Sequence, residues 1–156
     1  MEVVFFIGLP GSGKSTLLED PIYSTYKVVS MDLTRQKMGI IGSDGKKAVG
    51  TDEQEAKIRA IENATIAALA KAGCDFIIDD TNLRSGKRMM QIDIIKKANQ
   101  KYKIKYILVK TPVEICISRR SEIPQNIMHS FNDANNWVIY KEELQQIDAL
   151  EVISNN

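Results

Sequence analysis

Short apolar runs alternate along the chain with longer stretches of helical periodicity. The runs Val3–Ile7, Lys27–Ser30, Asp75–Asp79 and Ile104–Lys110 read as strands. The first is apolar without interruption, the pattern of a strand buried on both faces. Thr51–Gln54 ("TDEQ") forms a capping box that opens a helix, with Ile58, Ile61, Thr65, Leu69 and Ala72 on one face and Gly73 as its stop. "TPVE" at Thr111–Glu114 reads as a second capping box with Pro112 at the first helical position, and Pro124 opens a short helix through His129. Trp137, Tyr140, Leu144 and Ile147 make the apolar stripe of a last helix, while the polar, glycine-rich Gly39–Gly50 reads as a surface loop. Strands that alternate with helices predict a parallel sheet covered on both faces.

Length and charge narrow the picture. The 156 residues suffice for one domain over one core, and no linker or repeat divides residues 1–156. With 21 basic and 20 acidic side chains the global field is nearly neutral, so any nucleic-acid contact must come from a local patch. Cys74 and Cys116 give no disulfide framework and read as packed, reduced thiols of a cytoplasmic protein. The apolar start, "MEVVFFIG", is too short to span a membrane.

Chemistry enters at "GLPGSGKST", Gly8–Thr16. Glycine, four residues, then Gly13-Lys14-Ser15 is the phosphate-loop (P-loop) pattern, here with a strand before it and helix-forming "KSTLLED" after it. Gly8, Gly11, Ser12 and Gly13 let backbone N–H groups turn inward onto phosphate oxygens. Lys14 is placed to reach the β- and γ-phosphates, the Ser15 hydroxyl to ligate Mg²⁺ and Thr16 to meet the α-phosphate. The implied ligand is a purine nucleoside triphosphate, ATP with Mg²⁺.

Two acidic segments follow. "FIIDDTNL", Phe76–Leu83, ends a strand in two aspartates, either of which suits the water-mediated magnesium position of a P-loop fold; Asp79 is the stronger candidate, leaving Asp80 for the acceptor side. "VVSMDLTR", Val28–Arg35, delivers Asp32 to the carboxyl end of a strand, with Arg35 one helical turn later. A carboxylate there can take the proton of an acceptor hydroxyl while the arginine grips a phosphate or sugar, although an Asp in that place also serves as a plain helix cap.

The P-loop, "MDLTR" and "IIDDTNL" together resemble, over Val3 to Met128, the phage-type polynucleotide 5′-kinases and their small P-loop kinase relatives. The resemblance implies an α/β P-loop kinase fold, a doubly wound parallel sheet of adenylate-kinase-like order 2-3-1-4. It implies transfer of the ATP γ-phosphoryl group to a 5′-hydroxyl of DNA or RNA. Asp32 becomes the general base, Arg35 the acceptor clamp, Asp80 its support, and Thr81 and Asn82 further acceptor contacts. Arg119 in "CISRRSEIP" matches the first arginine of the lid that these kinases close over the transferring group, with Arg120 as its companion; Glu122 stands where the family has a basic residue. One domain leaves no room for the phosphatase domain that some such kinases carry.

Arg84 and Arg88, just past "DTNL", are candidates for acceptor binding, and they begin a basic stretch through Lys110. Its distal lysines read as a solvated face before a guide for polynucleotide. "FNDANN", Phe131–Asn136, lies where it can edge a base pocket. Two other functions share these motifs: a kinase of a small hydroxylated acceptor, and a nucleotide-binding module without catalysis.

Overall fold

In the computed structural model, which describes residues 1–42 and 48–155, five parallel strands form one sheet. They are β1 (Glu2–Gly8), β2 (Lys27–Val29), β3 (Phe76–Asp79), β4 (Lys103–Lys110) and β5 (Ala149–Ser154), in the order β2-β3-β1-β4-β5. The α-helices are α1 (Met31–Lys37), α2 (Asp52–Ala72), α3 (Ser85–Ala98), α4 (Val113–Arg119), α5 (Gln125–Phe131) and α6 (Lys141–Leu144). The expected 2-3-1-4 core is present, and β5 extends it at the β4 edge. The middle of the Gly39–Gly50 loop, residues 43–47, lies outside the described residues.

β1 is the centre of the molecule, with Val3 to Ile7 all at or near zero exposure between β3 and β4. Alternate residues feed two cores, as the period of a strand requires. Val3, Phe5 and Ile7 join Phe76, Ile78, Tyr106 and Leu108 beneath α2, α3, α4 and α5, through Ile66, Ile92, Cys116 and Met128. Val4 and Phe6 join Ile77, Ile107 and Val109 on the other face, covered by Tyr23 and partly by Leu17, Leu18 and Tyr26.

That second face is roofed by short 3-10 turns, Lys14–Glu19 and Pro21–Tyr23, where "KSTLLED" predicted an α-helix. Asp20 stops the first turn: its backbone is extended, its side chain caps the N–H of Ile22, and Pro21 starts the next turn.

α2 begins with the predicted capping box and ends at Gly73, whose left-handed φ of 74° suits glycine. Its buried face, however, is Ile58, Glu62, Ile66 and Ala70, and Ile61 is exposed. The "TPVE" box does not form. Pro112 occupies the cap of α4 without a side-chain bond, because the Thr111 hydroxyl instead donates 2.7 Å to the carbonyl of Ser12. The Trp137–Ile147 stripe is divided between a 3-10 turn at Ala134–Trp137 and the one-turn α6, which lead into β5. Both cysteines are free thiols. Among the described residues no helix is long and apolar enough to cross a membrane.

Candidate active site

Parallel strands that all end on one side leave a cleft beyond their carboxyl ends. Here that cleft is about 1170 Å³, and its walls include Gly11, Gly13–Thr16, Asp32, Arg35, Asp79–Thr81, Lys87, Arg119 and Arg120. A pocket for one small ligand occupies roughly 300–1,000 Å³, so this space exceeds what one small ligand needs.

The P-loop leaves β1 and turns through Gly11 and Gly13, at φ of 80° and 91°. A Cβ on Gly11 would meet Arg120 Cγ at 3.0 Å and the Cys116 carbonyl at 3.1 Å, so the end of α4 rests on the loop. The Ser12 carbonyl is pinned from behind by Thr111 and by Asn155, whose amide lies 3.3 Å away. Gly8 and Ser12, expected at the phosphate, stand behind the loop: both are buried, and a Cβ on Gly8 would reach within 2.7 Å of Ser12 Oγ. The missing side chain of Gly8 leaves room for that of Ser12. Lys14 lines the cleft, and the Thr16 hydroxyl donates 2.5 Å to the Gly13 carbonyl.

Ser15 Oγ donates to Asp79 Oδ2 at 2.8 Å. This contact separates the two aspartates: Asp79 faces the P-loop, while Asp80 faces α1 and α3. A hydroxyl joined to a carboxylate, beside a loop whose Gly11 and Gly13 are left-handed, fits a triphosphate with Mg²⁺.

Asp32 and Arg35 share the short α1, capped by Ser30. Arg35 Nη1 donates to Asp32 Oδ1 at 2.8 Å, and its Nε and Nη2 form a fork on Glu55 at 3.0 and 2.5 Å. The bonds from Arg35 hold the Glu55 carboxyl below the usual carboxylate range. Sequence reasoning assigned the support of Arg35 to Asp80. The structure gives it to Glu55, in the first turns of α2, while Asp80 takes the Met31 backbone N–H at 2.8 Å and Lys87 Nζ at 3.1 Å.

Arg119 and Arg120, the two arginines expected in a lid, both line the cleft. Arg119 Nη1 donates to the Gly11 carbonyl at 3.0 Å, and Arg120 is ion-paired with Glu122.

Three expected acceptor contacts are placed otherwise. Asn82 is buried at φ 50°, and its amide ties β1 to β3 by donating to the carbonyls of Phe6 (2.7 Å) and Ile78 (3.0 Å). Arg88 is 1% exposed and points into the core. Arg84 is exposed at the cap of α3, off the cleft wall. Thr81 does line the cleft, its carbonyl held by Gly8 N–H at 3.0 Å. The basic residue that the cleft gains is Lys87. Successive helical residues point about 100° apart, so α3 sends Lys87 to the cleft and Arg88 inward. Of the distal lysines, Lys97 pairs with Asp93, Lys105 with Glu151, and Lys96 bonds the Tyr102 carbonyl, as on a solvated face.

Residues 3–126 match the family model described as AAA domain (AAA_33). The chain belongs to this AAA domain family. No curated protein matches it. Among solved structures, this AAA domain chain is similar to a chain of the Pnkp1/Rnl/Hen1 RNA repair complex, at TM-score 0.69 and 20% identity, covering 94% of this chain and 46% of that one. It is similar to a putative kinase from Chloroflexus aurantiacus at TM-score 0.66 and 13% identity, covering 98% and 87%. It is also similar to the Mycobacterium tuberculosis APS kinase CysC, in complex with AMPPNP and APS, at TM-score 0.56 and 16% identity, covering 97% and 87%. The chain therefore spans less than half the length of the RNA-repair chain. The AAA domain chain has the P-loop kinase fold, a nucleotide-binding one.

Burial, and then the charge of Asp80, push the carboxyl of Glu62 up to about 8. The folded state thus binds this proton more tightly than the unfolded chain, whose Glu titrates near 4.5. The contribution to stability is complete below that value and is lost as pH rises through about 8. Glu62→Gln cannot ionise, so its urea stability should exceed that of the native protein at pH 9 by more than it does at pH 5; parallel pH curves would refute this.

Proposed function

We propose that this chain is an ATP-dependent kinase that transfers the γ-phosphoryl group to a 5′-hydroxyl of DNA or RNA. The observation that carries the reading is the Asp32–Arg35–Glu55 arrangement, which sets a fixed carboxylate and a guanidinium in one cleft with Lys14, Ser15 and Asp79. Asp32 accepts the proton of the acceptor hydroxyl as the hydroxyl oxygen bonds to the γ-phosphorus. The bond from that phosphorus to the β–γ bridging oxygen breaks, and its electron pair leaves on ADP. Lys14 and Arg119 offset the charge on the transferring group, and Arg35, held by Glu55, aligns the acceptor. Ser15 and Asp79 would hold Mg²⁺, which when bound would neutralise charge on the triphosphate.

A specific observation favours a second reading, a kinase of a small hydroxylated acceptor. Of the basic residues expected to bind a polynucleotide, Arg84 stands off the cleft wall and Arg88 lies in the core. Anisotropy titration of a labelled 5′-hydroxyl oligonucleotide at several salt concentrations separates the two. Binding that weakens steeply with salt, by counterion release from neutralised phosphates, supports the polynucleotide. Absence of binding at low salt, with nucleotide bound, turns the reading to the small acceptor.

A further inference from the structure

A buried polar cluster lies between α2, α3 and the end of β3, and the reaction as described makes no use of it. Glu62, 2% exposed, sits in the middle of the buried face of α2. Gln91 Nε2 donates to its Oε1 at 2.9 Å, and Lys87 Nζ stands 3.4 Å from the same atom. The other oxygen, Oε2, is buried and receives no donor, while Glu62 meets Asp80 within hydrogen-bonding reach. Asp80, 9% exposed, gives Oδ1 to the Met31 N–H and Oδ2 to Lys87. The titratable groups that face Glu62 are Asp80, just past β3, and Lys87 from α3; Gln91 brings only an amide, and on the α1 side Met31 Sδ touches Lys87. Asp32 and Arg35 are tied instead to each other and to Glu55, two turns back along α2.

Two donors on one oxygen, a buried second oxygen that receives none, and the Asp80 carboxylate within reach of the group together describe a carboxylic acid: Oε1 accepts and Oε2 carries the proton. The raised pKa of this group agrees with that geometry. Met31 is the first residue of α1, and its N–H has no partner inside the helix. α1 also buries no residue completely, so polar bonds hold it: the fork of Arg35 on Glu55 and, at its start, the Met31 N–H on Asp80. We propose that Glu62 is a positioning residue for the acceptor side of the cleft: it donates to Asp80, keeps that carboxylate on the first N–H of α1, and so fixes where Asp32 stands.

The role of Asp32 rests on the kinase reading above; the hold on α1 does not. The test therefore has two readouts on Glu62→Gln, which keeps a donor, and Glu62→Met, which keeps the size without one. The first is amide hydrogen exchange at Met31, with the β1 amides as the reference for global stability. The second is kcat and KM for phosphoryl transfer. Glu62→Met should speed exchange at Met31 and lower kcat by about tenfold or more, the ratio implied by losing a hydrogen bond to a charged group, with KM for ATP unchanged. Glu62→Gln should match the native protein in both. Unchanged Met31 exchange in Glu62→Met, or Glu62→Gln as impaired as Glu62→Met, would overturn the proposal. If no acceptor is phosphorylated by any of the three proteins, the kinase reading fails, and exchange at Met31 alone decides the role of Glu62.

Discussion

Asp32→Asn is expected to lower acceptor-dependent phosphoryl transfer by roughly 10²–10⁴-fold, the contribution of a positioned general base. Asparagine keeps an oxygen for Arg35 Nη1, and Arg35 keeps its fork on Glu55, so α1 and the acceptor clamp should stay in place. What is lost is a group able to take the proton of the attacking hydroxyl. Nucleotide binding should be unaffected, because the P-loop, Lys14 and Ser15 belong to another wall of the cleft. Calorimetric titration with ATP and Mg²⁺ beside single-turnover transfer separates the two effects. Equal losses in both would mean that Asp32 holds the nucleotide side and is no base.

Arg88→Met should cost about 3–5 kcal/mol of stability, the penalty for leaving one partner of a buried ion pair uncompensated. Arg88 Nε and Nη2 bond the Glu143 carboxylate at 2.5 and 3.0 Å, and both groups are 1% exposed. Nη1 satisfies the carbonyls of Asn82 and Leu83, and Nη2 that of Val138. Tyr106 and Ser85 complete the shell of Glu143. Burial opposes ionisation of Glu143, yet the bonds from Arg88 and Tyr106 outweigh it and hold its carboxyl below the usual range. The methionine variant strands that carboxylate in the core, a loss that is a large share of a typical 5–15 kcal/mol domain stability. Adding Glu143→Leu removes the stranded charge and should recover part of the loss, because apolar replacement of both partners is often neutral. Urea unfolding of the two variants checks this. A single variant as stable as the native protein would contradict the buried ion pair and return Arg88 to the acceptor binding expected from the sequence.

Arg88 also shows where sequence reasoning stops. The P-loop, the α2 capping box and the apolar β1 were legible because each depends on neighbours a few residues away. Arg88 and Lys87 are adjacent and basic, and only the rotation of α3 decides which meets the core and which the cleft. Asn82 belongs to a motif that resembles an acceptor site, but its amide bonds Phe6, a strand away in space and far away in sequence. Glu62 interrupts the apolar row of α2, so the periodicity was read one position off; an acid on a buried face carries no signal until Gln91, Lys87 and Asp80 are seen around it. β5 was missed for a related reason. It is an edge strand with Leu150 and Val152 half exposed, following a stripe that mimics a helix. Asp32, Arg35 and the P-loop were placed together from chain order alone, since every strand of a parallel sheet delivers its carboxyl end to the same side.

The most direct measurement is transfer of label from γ-labelled ATP, with Mg²⁺, to a mixture of 5′-hydroxyl DNA and RNA oligonucleotides, with Asp32→Asn alongside. Label is expected on the oligonucleotide 5′ end with the native protein and is expected to be lost with the variant. ATP binding without label on either strand would contradict the kinase reading.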